Sequence, residues 1–114
     1  MIQLQILNYV LASKSLSILQ DNNIGKEYFT EYPDEIEFIE DHYSQYKKIP
    51  DMETFVAKFP DFEPIEVTES ERYLVDTIRE EYLYSKSVPV IKHAAELLKQ
   101  DANVASQYLQ SELP

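Results

Sequence analysis

Between Thr68 and Leu98, apolar or small residues recur at Leu74, Ile78, Tyr82, Ser85, Ile91, Ala95 and Leu98, three, four or a multiple of those steps apart. That spacing draws one seam along a helix of roughly thirty residues, longer than the core of a small domain requires. Thr68-Glu69-Ser70-Glu71 has the form of a capping box, with the Thr68 hydroxyl facing the Glu71 N–H and the Glu71 carboxylate reaching back to the Thr68 N–H. A helix start at Thr68 is therefore expected. Pro89 lies inside the run, lacks a backbone donor and crowds the carbonyl four residues earlier, which predicts a kink or break near Ser85 to Val88. After Lys99-Gln100 the pattern stops, and Asp101 is placed to cap a second helix carrying Val104, Ala105, Tyr108 and Leu109. The result is an antiparallel helical hairpin. Periodicity leaves two readings of it open: the edge of a monomeric bundle, or a surface that pairs with another copy.

A chain of 114 residues without cysteine folds as one domain on its hydrophobic core alone, with no disulfide and no thiolate metal site. One glycine, Gly25, among 44% hydrophobic and 27% charged residues favours helices with short connections over a turn-rich sandwich. The fold expected is all-α: a compact orthogonal helical bundle, the head, over residues 1–64, followed by a C-terminal helical hairpin over 65–114. No stretch approaches the ~18 consecutive apolar residues of a membrane span, and Met1-Ile2-Gln3 lacks the basic start of a signal peptide. A soluble cytoplasmic protein is the expectation. A net charge of −11, with ten lysines and arginines in all, argues against wrapping nucleic acid by counterion release. The acidic run Glu27, Glu31, Asp34, Glu35, Glu37, Glu40 and Asp41, opposed locally by Lys26, is either a solvated helix face or a surface for a basic partner.

Taken in order, Gln3 to Ala12 reads as a helix with Ile2, Ile6, Tyr9 and Val10 on one side and Gln3, Gln5 and Asn8 on the other. Ser13-Lys14-Ser15 caps a short helix carrying Leu16, Ile18 and Leu19, which stops at Asp21-Asn22-Asn23, with Gly25 free to turn left-handed. Lys26 to Thr30 forms one further turn with Tyr28 and Phe29 inward. Pro33 sets the start of a helix from Asp34 to Lys48, acidic at its beginning and basic at its end as the macrodipole prefers. Its buried stripe is read as Ile36, Ile39, Tyr43 and Tyr46, flanked by Phe38. Ile49-Pro50 ends it, and Asp51 caps a short helix through Met52, Phe55, Val56 and Phe59 before Pro60 to Pro64 breaks the chain.

Catalytic patterns are excluded mainly by what is missing. A chain with one glycine has no loop to cradle phosphates, and neither histidine completes the Glu-x-x-His of a di-iron bundle, since Ile39 and Val90 stand three before His42 and His93. Glu40 with His42, or His93 with Glu96, forms an acid and base pair on paper, but no nucleophile or oxyanion donor accompanies either. No catalytic, cofactor-binding or metal residue is assigned. The nine tyrosines, against no tryptophan, are more informative, because tyrosine suits surfaces buried only on association. Tyr82, Tyr84 and Tyr108 fall on the hairpin, Tyr43 and Tyr46 on the head; the same residues also suit the edge of a small core.

The order of these signals resembles the N-terminal domain of the DnaB-type replicative DNA helicases. That family opens with a helix similar to Leu4-Gln5-Ile6-Leu7-Asn8-Tyr9-Val10-Leu11 and continues with an acidic and aromatic group like Glu27-Tyr28-Phe29. A Pro-Asp step and threonine follow, as in Ile49-Pro50-Asp51-Met52-Glu53-Thr54-Phe55, and then a tyrosine leading into Ile-Arg-Glu, as in Tyr73 to Ile78-Arg79-Glu80. Each element is weakly specific alone; their order covers nearly the whole chain. Two departures, Asp34 near where the family commonly has histidine and Ser85-Lys86 where it has arginine, make the chain resemble a divergent, phage-like member.

The resemblance implies a parent chain with a RecA-like ATPase, holding ATP and Mg, beyond a linker after Pro114, so that the sequence looks like a cut fragment of an ATP-dependent helicase. It implies a collar of paired subunits, a trimer of dimers within a hexamer, that recruits DNA primase and responds to the helicase loader while touching DNA little. Residues expected at the subunit interface are Ile78, Tyr82, Ile91, Leu98, Tyr108 and Leu109; Glu35, Glu37, Tyr43 and Tyr46 are candidate partner contacts. The alternative is a free-standing acidic phage protein that inhibits a host replication protein through the run Glu27 to Asp41. A carboxylate enzyme, a third reading, requires a bound metal.

Overall fold

The computed structural model describes residues 1–113, and every regular element among them is helical. The helices are α1 (Ile2–Ser13), α2 (Ser17–Gln20), α3 (Pro33–Tyr46), α4 (Met52–Lys58), α5 (Glu71–Leu98) and α6 (Ala102–Glu112), with a 3₁₀ turn at Lys26–Tyr28. Two compact units emerge, Met1–Ile78 and Arg79–Pro114. The expected boundary between residues 64 and 65 is therefore displaced. The physical reason is that Leu74, Val75 and Ile78 join the core of the first unit, with Ile65 and Val67 packed against it.

Helix α1 is the centre of the first unit rather than one amphipathic wall of it. Besides Ile2, Leu4, Ile6, Leu7, Val10 and Leu11, it buries Gln3 and Asn8, which the helical pattern places on its solvent side. Burial of two amides is tolerable only if their polar atoms are partnered. Gln3 donates through Nε2 to Thr30 Oγ1 at 3.1 Å and accepts from the Glu31 N–H at 2.9 Å. Asn8 donates through Nδ2 to the Leu4 and Glu63 carbonyls at 3.0 and 3.1 Å, while its Oδ1 accepts from the Ile65 N–H at 3.0 Å. Two loops distant in sequence are thereby tied to one helix. Asn8→Ala leaves the Ile65 N–H without its acceptor and is expected to destabilise the chain by about 2 kcal/mol, readable as a lower urea midpoint; an unchanged midpoint contradicts this role for Asn8.

Helix ends follow local chemistry in several places. Lys14 and Lys47, the residues that close α1 and α3, take left-handed conformations with φ of 55° and 60°. The left-handed residue of the following loop is Asn23 (φ 54°), the side chain best suited to it after glycine, while Gly25 is extended. Asp51 caps α4 by accepting from the Thr54 N–H at 2.7 Å, and Asp101 caps α6 by accepting from Asn103 and Val104. The capping box expected at Thr68 does not form. Helix α5 begins at Glu71, Ser70 Oγ accepts from the Tyr73 N–H at 3.2 Å, and the Glu71 carboxylate accepts from the Tyr9 hydroxyl instead of reaching back to Thr68. That bond is the main reason the Tyr9 phenol is raised above its ordinary value. Nor does Pro89 break α5, which continues to Leu98.

The Asp51 carboxyl sits below the usual aspartate value, first because the Thr54 backbone N–H bonds its charged form and further because the Thr54 hydroxyl, Lys14 and His42 favour the anion. With a depressed folded value, the cap contributes stability above the carboxyl's unfolded value, and that contribution is lost as pH falls through the folded one. In thermal melts taken from neutral to acid pH, the wild type should lose stability relative to Asp51→Asn, whose cap does not titrate; parallel curves contradict this.

Candidate functional site

The second unit presents an apolar groove along its hairpin. The C-terminal half of α5 turns into α6 through Lys99 and Gln100, with the Gln100 and Asp101 N–H groups donating to the Leu97 carbonyl at 2.9 and 2.8 Å. Ala94 and Ala105 are buried, at 5% and 3% exposure. Small residues at these positions of α5 and α6 leave a hollow of about 470 Å³, lined by Ile91, Ala94, Ala95, Leu98, Ala102, Ala105, Ser106, Leu109 and Leu113. Ile91 and Leu98 remain 54% and 60% exposed beside it. The face thus carries exposed apolar side chains beside an apolar hollow.

Of the residues expected at a subunit interface, Ile91, Leu98 and Leu109 converge on this groove. Ile78 does not belong there: it is 1% exposed within the core of the first unit, so its side chain is already covered by its own chain. Tyr82 is half-buried, with the Lys86 ammonium 5.5 Å from its ring centre, and lies outside the groove lining. Tyr108 is held edge-on against the His93 ring, centroids 4.7 Å apart, and also stands outside it. Sequence reasoning missed Ala94, Ala102, Ser106 and Leu113. The available signal was Ala94-Ala95 before the turn and Ala102 after it, small residues where two antiparallel helices must approach closely.

The other candidate contacts separate. Tyr43 and Tyr46, expected in the buried stripe of α3, are 36% and 60% exposed because the stripe ends at Ile39. They line a cleft of about 570 Å³ in the first unit together with Lys14, Lys47 and Lys48. Glu35 and Glu37 are not part of it. On the acidic stretch, Glu40 is raised above the ordinary glutamate value by burial first, then by Asp41, Glu27 and Glu37, against the opposing pull of Lys26.

His42 donates through Nδ1–H to the Lys48 carbonyl at 2.8 Å, since a carbonyl can only accept. Among the described residues no group of three or more His, Asp or Glu side chains is placed to hold a metal ion, and no helix is long and apolar enough to cross a membrane. The chain matches no protein-family model, no curated protein sequence and no solved structure.

Proposed function

We propose that this chain is the N-terminal collar domain of a replicative DNA helicase of the DnaB type, a non-catalytic piece that joins subunits and receives other replication proteins. The observation that carries the pairing is the open hairpin groove, where the exposed Ile91 and Leu98 stand with Leu109 around a hollow floored by alanines. The helicase assignment is supported by the ordered signals from Leu4 to Glu80, including the Pro50-Asp51 step, whose aspartate caps α4. On this reading the groove serves dimers within a hexamer, and the head faces DNA primase and the helicase loader. ATP and Mg belong to the motor of the parent chain, the compartment is the cytoplasm of a bacterial or phage-infected cell, and direct contact with DNA is slight, in keeping with a charge of −11.

The gene itself tests the assignment. An open reading frame that continues past Pro114 into a P-loop ATPase supports the helicase. A stop codon there overturns it in favour of a free-standing acidic inhibitor of a replication protein.

A further inference from the structure

The cleft that holds Tyr43 and Tyr46 gathers lysines on an acidic molecule. Of ten lysines and arginines against twenty-one acids, Lys14, Lys47 and Lys48 all open onto it. Among the described residues no carboxylate forms a close ion pair with any of the three, whereas Arg72 and Lys99 have such partners in Asp76 and Glu96. Asp51 is the single acid in the lining, and its carboxylate is engaged by the Thr54 N–H as the α4 cap. Placing lysines after α3 suits the helix dipole, but Lys14 comes from the end of a different helix, and dipole compensation does not require the two ends to share a cleft.

The rest of the lining is apolar and aromatic. Ile49 and Pro50 are buried beneath it, and the exposed Tyr43 and Tyr46 rings stand beside them. The Tyr46 ring is steadied by His42, centroids 4.9 Å apart, and His42 is itself anchored on the Lys48 carbonyl. A positively charged rim around an apolar floor selects an anion that also carries an apolar side chain.

We infer that this cleft binds a short acidic segment of a partner protein, its apolar residue seated on Ile49 and Pro50 between the tyrosines and its flanking carboxylates on Lys14, Lys47 and Lys48. A nucleic acid fits less well, because a polyanion extends beyond a cleft of about 570 Å³ onto a surface whose net charge is −11. The inference is independent of the hairpin groove and of the helicase assignment.

Titration of the whole chain with a short capped peptide of aspartates and glutamates around one phenylalanine tests it, followed by backbone NMR shifts and calorimetry. The expected result is saturable binding with shifts concentrated on residues 42–54 and Lys14, weakened by salt. The pair Lys47→Glu and Lys48→Glu should reduce affinity by about tenfold or more, and Tyr46→Ala should reduce it less. Both variants alter exposed side chains, and Lys92→Glu on α5 is the control for a charge reversal outside the cleft, expected to bind as the wild type does. The inference is overturned by no saturation at millimolar peptide, by equal binding of the asparagine and glutamine version, by an equal loss in Lys92→Glu, or by tighter binding of a single-stranded oligonucleotide.

Discussion

Ile91→Glu is expected to weaken self-association of this chain by about 100-fold or more while leaving its folding intact. Ile91 is 54% exposed in the single chain, so a carboxylate there stays solvated until a second copy arrives. Pairing through the groove then buries the charge without a partner, since the lining consists of alanines, leucines and one serine besides Ile91 itself. An uncompensated charge at a buried contact costs about 3 kcal/mol or more, which is the stated factor in the dissociation constant. Sedimentation of wild type and variant over a concentration series, with a thermal melt of each, checks both expectations. Equal association in the two proteins removes the groove from the interface. On the proposed collar reading, the same substitution in the parent helicase is the more sensitive comparison where the isolated chain pairs weakly, because a motor ring would hold the collars at high local concentration.

Phe55→Ala is expected to cost about 4 kcal/mol of folding stability, a large share of the ~5–15 kcal/mol available to a domain of ordinary size. Phe55 is 0% exposed and sits at the centre of an aromatic cluster, with ring centroids 6.1 Å from Phe38, 5.0 Å from Phe59 and 4.7 Å from Phe62. The Phe62 contact is edge-on at 83°, a favourable quadrupole arrangement that truncation also removes. Deleting the ring opens a cavity that three other phenylalanines, each held by its own helix or loop, fill only in part. Tyr46→Ala is the informative companion: this side chain is 60% exposed, so its loss should change stability by no more than ~0.5 kcal/mol. Denaturant unfolding distinguishes the two. A small effect for Phe55 together with a large one for Tyr46 would contradict the placement of the core.

What the amino-acid sequence announces most reliably here is chemistry that acts over a few residues. Pro33 opening α3, and Asp51 and Asp101 capping α4 and α6, lie where composition and spacing place them, because each cap needs only its own next turn. The all-helical class follows from the same local preferences. Signals whose outcome depends on a distant partner go astray. Glu71 has the form of a capping-box acid, but Tyr9, distant in sequence, takes its carboxylate, and the cap passes to Ser70. Gln3 and Asn8 mark a solvent face by type, yet the loops at Thr30 to Glu31 and Glu63 to Ile65 close over α1 and turn both amides into buried anchors.

The candidate groove divides along the same line. Ile91, Leu98 and Leu109 are legible as a stripe because helical periodicity is a local property. Ile78 shares that periodicity but is claimed by the head core, a tertiary outcome that spacing does not encode. The alanine floor carries almost no hydrophobic signal of its own and becomes visible only when the two helices face each other. The basic cleft is least legible of all, since it joins Lys14 to Lys47 and Lys48 across two helix ends within a chain whose bulk charge points the other way.

The most direct test of pairing through the hairpin is an intermolecular methyl contact map, made by mixing one isotopically labelled population of the chain with an unlabelled one at high concentration. Contacts from the Ile91, Leu98 and Leu109 methyls of one copy to the other copy are the predicted result. Intermolecular contacts that arise from the head alone, with those three methyls seeing only their own chain, would contradict it.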